Sequence, residues 1–206
     1  MITIVDYNAG NLRSVKRACD AVGIESRVSS TASEVAKAER IIFPGIGHAR
    51  TTMETLLHSG LVDALNVARE RGTPILVICV GAQLMLDGSD EGPVEGLHWI
   101  PGRTRLLQPS DPTLKVPHIG WNEVHVLRPH PLLASIADGD RAYFVHGYYL
   151  DPRDKANRYA DSDYGGAFCC AIGHANVFAT QFHPEKSGRV GLSVLENFAK
   201  WDGATC

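Results

Sequence analysis

Three residues of this chain have the types and spacing for covalent catalysis: Cys79, His183 and Glu185. Cys79 closes a continuous apolar run, Pro74-Ile75-Leu76-Val77-Ile78-Cys79, and Val80-Gly81-Ala82-Gln83 after it reads as the start of a helix. A strand-turn-helix elbow of this kind lifts a thiol above a sheet and sets it at a helix N-terminus. Peptide dipoles and free N–H groups there favour thiolate over thiol. On that segment alone, a structural cysteine at a strand end reads equally well. His183-Pro184-Glu185 shifts the balance. Residues two apart in an extended segment face one side, and Pro184 biases His183 toward extended backbone. Glu185 can then accept a hydrogen bond from one ring nitrogen while the other faces a thiol. That is the nucleophile–base–orienter arrangement of covalent catalysis. A histidine with a carboxylate two residues on is common, so the pair gains meaning only as the distant partner of Cys79.

The elements that must position these groups alternate in period along the first half. Residues 1–6 form a short apolar run ending at a loop, residues 7–11, after which Leu12, Val15, Ala18, Cys19 and Val22 recur at helical spacing. Gly23 ends that helix, and residues 24–28 read as a second strand. Thr31 followed by Glu34 matches a capping box opening a short polar helix. Residues 40–43 are another strand, closed by Pro44-Gly45-Ile46-Gly47, and Leu61, Ala64, Leu65 and Ala68 mark a helix before Gly72. Fully apolar strands separated by helices predict a mostly parallel central sheet, buried on both faces. The second half has shorter segments, rich in β-branched and aromatic residues. It predicts a smaller, mostly antiparallel β region over residues 122–127, 141–150, 168–172 and 177–182. A closing helix places Val190, Val194, Leu195 and Phe198 on one face. No internal repeat or interdomain linker interrupts the chain, so residues 1–206 read as one α/β domain.

Composition excludes several classes. The 206 residues carry 20 Lys and Arg against 23 Asp and Glu, a net charge of −3. A nucleic-acid binder would carry a basic surplus. No apolar run approaches the roughly 20 residues of a membrane span, and the N-terminus lacks the layout of a signal peptide, so the expected location is cytoplasmic. Five cysteines, with no C-x-x-C pair, argue against a disulfide framework or a zinc site. Cys169 and Cys170 should point to opposite faces of a strand as inert thiols. The nine histidines are scattered without metal-ligand spacing, and no metal or cofactor is expected.

Cys79 in its elbow together with Gln181-Phe182-His183-Pro184-Glu185 resembles the class I, triad-type glutamine amidotransferases. Further segments narrow the likeness: Tyr7-Asn8-Ala9-Gly10-Asn11-Leu12, Pro44-Gly45-Ile46-Gly47, Val116-Pro117-His118-Ile119-Gly120-Trp121-Asn122, Tyr143-Phe144-Val145-His146 and His183-Pro184-Glu185-Lys186-Ser187. In this order and over nearly the whole chain, they resemble the glutaminase subunits of imidazole glycerol phosphate synthases. The resemblance implies that Cys79 attacks glutamine, His183 acts as acid and base, and Glu185 orients it. It implies an oxyanion hole from Val80 and the loop at Gly47, and substrate contacts from Gln83, Glu91, Gly147 and Tyr148. It implies a heterodimer with a barrel-type synthase subunit across Asn11, Trp121, Tyr143 and Lys186, to which ammonia would be channelled. Bland readings stand beside several of these. Asn11 can cap the first helix, Trp121 can be a core aromatic, Lys186 a surface lysine and Glu91 a solvated loop acid. No phosphate-binding loop is present, which agrees with a nucleotide substrate held by the partner.

Three positions depart from the family pattern: Val77 stands where Gly is usual, Ala82 where Met is usual, and Gly147 where Ser or Thr is usual. The volume added at 77 nearly equals that lost at 82, so the two are expected to compensate within one packed region. The alternative is that the family's glycine supplies a positive φ that valine adopts only under strain. Two further readings remain open at this stage. One is a paralogous glutaminase serving surface-sugar amidination, and the other a docking or regulatory subunit with weak turnover.

Overall fold

The computed structural model describes residues 1–8 and 11–204. Its first half runs β1 (Ile2–Val5), α1 (Leu12–Ala21), β2 (Ser26–Ser29), α2 (Ala32–Ala36), β3 (Ile41–Gly45), α3 (Ala49–His58), α4 (Leu61–Glu70), β4 (Ile75–Cys79) and α5 (Val80–Leu84). Every residue of β1, β3 and β4 is buried, as strands of a parallel sheet covered on both faces must be. Helix α1 turns Val15, Ala18 and Cys19 inward at the spacing of one helical face.

The second half comprises β5 (Gly88–Ser89), β6 (Gly92–Glu95), β7 (Gly102–Leu106), β8 (His118–Glu123), β9 (His125–Val126), β10 (Arg141–His146), β11 (Tyr148–Pro152), β12 (Arg158–Asp163), β13 (Ala167–His174), β14 (Val177–Thr180) and α6 (Gly188–Lys200). The main sheet runs β2-β1-β3-β4-β14-β13-β11-β7-β5-β6. Its first five strands are mutually parallel, and β13, β11 and β7 extend it in antiparallel fashion. Strands β8 and β10 form a separate antiparallel ribbon, in register from Arg141 opposite Glu123 to His146 opposite His118. The structure thus has the expected α/β class, with a parallel sheet and an antiparallel β region.

Four local expectations are corrected. The strand predicted at 177–182 is β14, which joins the parallel half by pairing with β4. The continuous strand predicted over 141–150 breaks at Gly147 into β10 and β11, which belong to different sheets. Helix α3 went unread because its buried residues, Ala49, Thr52, Met53 and Leu56, include a polar threonine in the apolar stripe. The capping box does not form: Thr31 makes no side-chain cap bond, and Glu34 instead accepts from Ser29 Oγ at 2.6 Å.

Cys169 and Cys170 in β13 are both buried, and desolvation pushes the Cys169 thiol up to about 12 and the Cys170 thiol up as well. Burial thus disfavours the reactive thiolate in both. Cys206 lies outside the described residues.

His130 is buried, stacked on Phe178 with ring centroids 4.1 Å apart, and its Nδ1 accepts from the Leu132 N–H. Burial pushes its pKa down to about 4. Between that value and the ordinary histidine value of about 6.5, the unfolded chain binds a proton that the folded chain refuses. Stability attributable to this site therefore falls as pH drops through that window. His130→Asn, which keeps an acceptor but does not titrate, is expected to flatten the acid limb of stability against pH, measured by urea unfolding between pH 7 and 4.

Candidate active site

Cys79 lies at the C-terminal end of β4, flanked by β3 and β14, at the sheet edge where ligands bind in open α/β folds. Its backbone has φ 55° and ψ −111°, a conformation that costs a non-glycine residue energy and that turns the strand directly into α5. Gly45 stands opposite Cys79 in the β3–β4 register. A Cβ on Gly45 would lie 2.4 Å from the Gly81 nitrogen, so the 44–47 loop reaches the elbow only because that side chain is absent. Gly47 follows at φ 98°. A cavity of about 590 Å³ opens at the elbow, lined by Gly47, Val80, Gln83, Glu91, Gly147 and Tyr148 among others, and reaching Cys79 and His183. That volume suits a small-molecule substrate.

Strand β14 brings His183 to Cys79. Thr180 pairs with Ile78, one residue short of Cys79, and the chain continues through Gln181 to His183. The imidazole is fully buried, and its Nδ1 lies 2.7 Å from Glu185 Oε1. Nε2 is buried without a hydrogen-bond partner of good geometry. Burial opposes a charge on this ring, but Cys79 on one side and Glu185 on the other outweigh it and raise the His183 pKa to about 10. Cys79 and Glu185 on its two sides thus favour the protonated ring. Asn11 Nδ2 also donates to Glu185 Oε1. The turn is fixed from behind, since the His183 N–H donates to the Tyr143 carbonyl at 2.9 Å and Ser187 Oγ to the His183 carbonyl at 2.6 Å.

The remaining expected residues fall into distinct settings. Gln83 lines the cavity with its Nε2 committed to the Tyr148 carbonyl and Gln181 Oε1, both at 3.2 Å. Glu91 is no solvated loop acid: its oxygens take His48 Nδ1 at 2.8 Å and the Ala49 N–H at 2.7 Å, at the start of α3. At Gly147 a Cβ would meet Val116 Cγ1 at 3.5 Å, ordinary contact, so nothing in the packing excludes the hydroxyl residue usual in the family. Trp121 is 52% exposed rather than a core aromatic. It packs edge-on to Tyr143, over whose ring Lys186 Nζ sits 5.6 Å from the centroid. Asn11, by contrast, is buried, and its side chain makes no cap bond to α1.

One residue was missed. Gln181 is fully buried, and its Nε2 donates to Cys79 Sγ at 3.6 Å. Its place directly after β14 and two residues before His183 was the available signal.

Val77 lies within β4 and is not among the positive-φ residues, so the strained-backbone alternative is ruled out. Val77 Cγ1 also faces Gly81, the residue before Ala82: a Cβ there would come within 2.8 Å of Val77 Cγ1 and 3.0 Å of the Phe43 carbonyl oxygen.

A cysteine elbow at a parallel-strand end, facing a buried histidine–carboxylate pair, defines a triad-type α/β protein of the acyl-transfer kind. A family profile described as glutamine amidotransferase class-I matches residues 3–201. Curated relatives include the imidazole glycerol phosphate synthase subunit HisH of Syntrophotalea carbinolica, 44% identical over 96% of this chain and 98% of that one. The subunit of the same name from Dechloromonas aromatica is 45% identical over 97% and 96%. The chain belongs to the class-I glutamine amidotransferase family, among the HisH subunits. Solved structures share the fold. PurLQS from Thermotoga maritima aligns with TM-score 0.71 at 21% identity, covering 97% of both chains. The glutaminase domain of Trypanosoma brucei CTPS aligns with TM-score 0.66 at 17% identity, covering 97% of this chain and 93% of that one.

The Val77–Gly81 contact makes a packing prediction. Gly81→Ala is expected to destabilise the chain by about 1–3 kcal/mol through overpacking. Val77→Gly in the same chain should recover part of that cost, read as a non-additive term in a double-mutant cycle of urea unfolding. Strict additivity would show that the two side chains do not compete for this space.

Proposed function

We propose that this chain is the glutaminase subunit of an imidazole glycerol phosphate synthase, releasing ammonia from glutamine for a barrel-type synthase subunit. The observation that carries it is the Cys79–His183–Glu185 constellation, in a chain more than 40% identical to HisH subunits along nearly its whole length. The relatives' names favour the histidine-type partner over a surface-sugar partner. The ordinary strand conformation of Val77 supports an elbow free of backbone strain at that position.

In this reading Cys79 Sγ attacks the side-chain amide carbon of glutamine. The oxygen then takes negative charge within reach of the Val80 N–H and the loop at Gly47. His183, held charged between its neighbours, passes a proton to the leaving nitrogen, and ammonia departs from a glutamyl thioester. The neutral ring then takes a proton from water, hydroxide attacks the thioester, and glutamate and the thiolate are regenerated. Gln181 steadies the sulfur and Glu185 keeps the ring aimed. Gln83 and the Tyr148–Gly147 backbone line the space for the rest of glutamine. Glu91 is the acid placed for the α-ammonium, which would compete with His48, a ring 80% exposed and free to yield.

The partner surface falls on the β8–β10 ribbon. Ile119 and Trp121 are exposed on one face of β8, beside Tyr143 and Lys186, and form an apolar patch next to the cavity mouth. The 44–47 loop, with glycines at 45 and 47, is the segment that docking can bias.

Cys79→Ser is expected to cut glutamine-dependent product formation by the complex about 10³-fold or more, while synthesis supplied with ammonium salt stays near the wild-type rate. Glutamine-dependent turnover near wild type would remove Cys79 as nucleophile. Trp121→Ala and Lys186→Ala should each weaken binding to the synthase subunit by about tenfold, with little change in the Tm of the free chain. Titration calorimetry and thermal melts separate the two effects, and unchanged affinity would return both residues to ordinary surface roles.

A further inference from the structure

The Glu185 carboxylate is provided for unevenly. Oε1 accepts from both His183 Nδ1 and Asn11 Nδ2, whereas Oε2 is buried with no hydrogen-bond partner. Glu185 also borders a cavity of about 360 Å³ between α1 and α6, lined by Ser14, Arg17, Ala18, Gly188 and Leu192. The carboxylate therefore has room to turn on that side, and a turn would take Oε1 off the imidazole. Asn11 stands against such a turn. Its side chain is buried, spends nothing on capping α1, and reaches across to the triad from the N-terminal end of that helix.

We infer that Asn11 is a positioning residue for the triad: its amide fixes the orientation of the Glu185 carboxylate and, through it, the His183 ring that faces Cys79. The inference rests on the glutaminase reading above and adds a fourth member to the Cys79–His183–Glu185 relay. It gives the helix α1 N-terminus a direct physical connection to the base. The role is distinct from contact with the partner, because the donor points inward at a buried oxygen.

The test uses the full chain in complex with the synthase subunit, measuring glutamate release at saturating glutamine and saturating partner. Hydrogen bonds to charged groups are worth enough that Asn11→Ala should lower kcat by about 10–100-fold, with KM for glutamine within about twofold. The near-isosteric Asn11→Asp, which keeps the shape but sets a second acceptor against Oε1, should lose at least as much, so a packing defect in the alanine variant does not decide the result. In a Glu185→Gln background, where the charge is gone, Asn11→Ala should cost under about threefold more. Full additivity, with Asn11→Ala equally harmful in both backgrounds, overturns the proposal. So does an Asn11→Ala or Asn11→Asp complex with wild-type kcat, or one whose only defect is weaker affinity for the synthase subunit. A wild-type complex that releases no glutamate overturns the glutaminase reading and this inference together, whereas a normal wild type with harmless Asn11 variants overturns this inference alone.

Discussion

The pairing of β14 alongside β4 is the constraint on which the site depends. Thr180 sits beside Ile78, so both parallel strands release their chains at the same edge of the sheet. One leaves as the Cys79 elbow and the other as the segment that carries Gln181 and His183. All of β5 to β13 is threaded between these two strands in the chain. The antiparallel half is therefore a long excursion that ends by inserting β14 next to the strand that carries Cys79. A slip of one residue in this register would turn His183 to the other side. The same strand is buried on every residue, which is what makes such a slip costly.

Around that juncture the protein concentrates groups that are expensive to bury. His183 and the side chain of Glu185 have no solvent exposure, and desolvation is the largest single influence on the imidazole. The ring nonetheless favours its charged form because Cys79 and Glu185 lie on its two sides. Removing one partner leaves an uncompensated ion, the situation in which buried pairs become strongly destabilising. Backbone strain is placed at the same point: Cys79 has positive φ, and Gly45 and Val77 both approach Gly81 closely beside it. The elbow is thus over-determined by packing, which is how a strained conformation persists.

The β8–β10 ribbon ties an outward face to the inward chemistry through short backbone contacts. The Tyr143 carbonyl accepts the His183 N–H, while the Tyr143 ring lies between Trp121 and Lys186. On the other face of the ribbon, His118 and Phe144 stack at 5.3 Å within the core. Alternation along two strands accordingly gives one surface to the solvent and one to the fold. The outer surface is one backbone hydrogen bond away from His183.

Much of this was legible before any coordinates. The apolar run ending at Cys79 and the alternation of strands and helices rest on local periodicity and backbone preference. Those forces act over a few residues, so the sequence determined the α/β class, the elbow and the candidate triad. The extended run expected over residues 183–185 is instead a 3-10 turn at Pro184–Lys186, and it is this turn that brings the Glu185 carboxylate back to the ring. Elements whose reading needs a distant neighbour stayed hidden. Residues 141–150 look like one strand, and only the two sheets that claim its halves reveal the break at Gly147. Glu34 looks like a capping partner until Ser29 competes for it. Gln181 looks like a polar strand end until Cys79 lies beside it, and Asn11 like a helix cap until Glu185, far along the chain, accepts its amide. Side-chain types and spacing are carried by the chain itself, but which buried donor meets which buried acceptor is set by long-range strand pairing, and only the tertiary structure decides that.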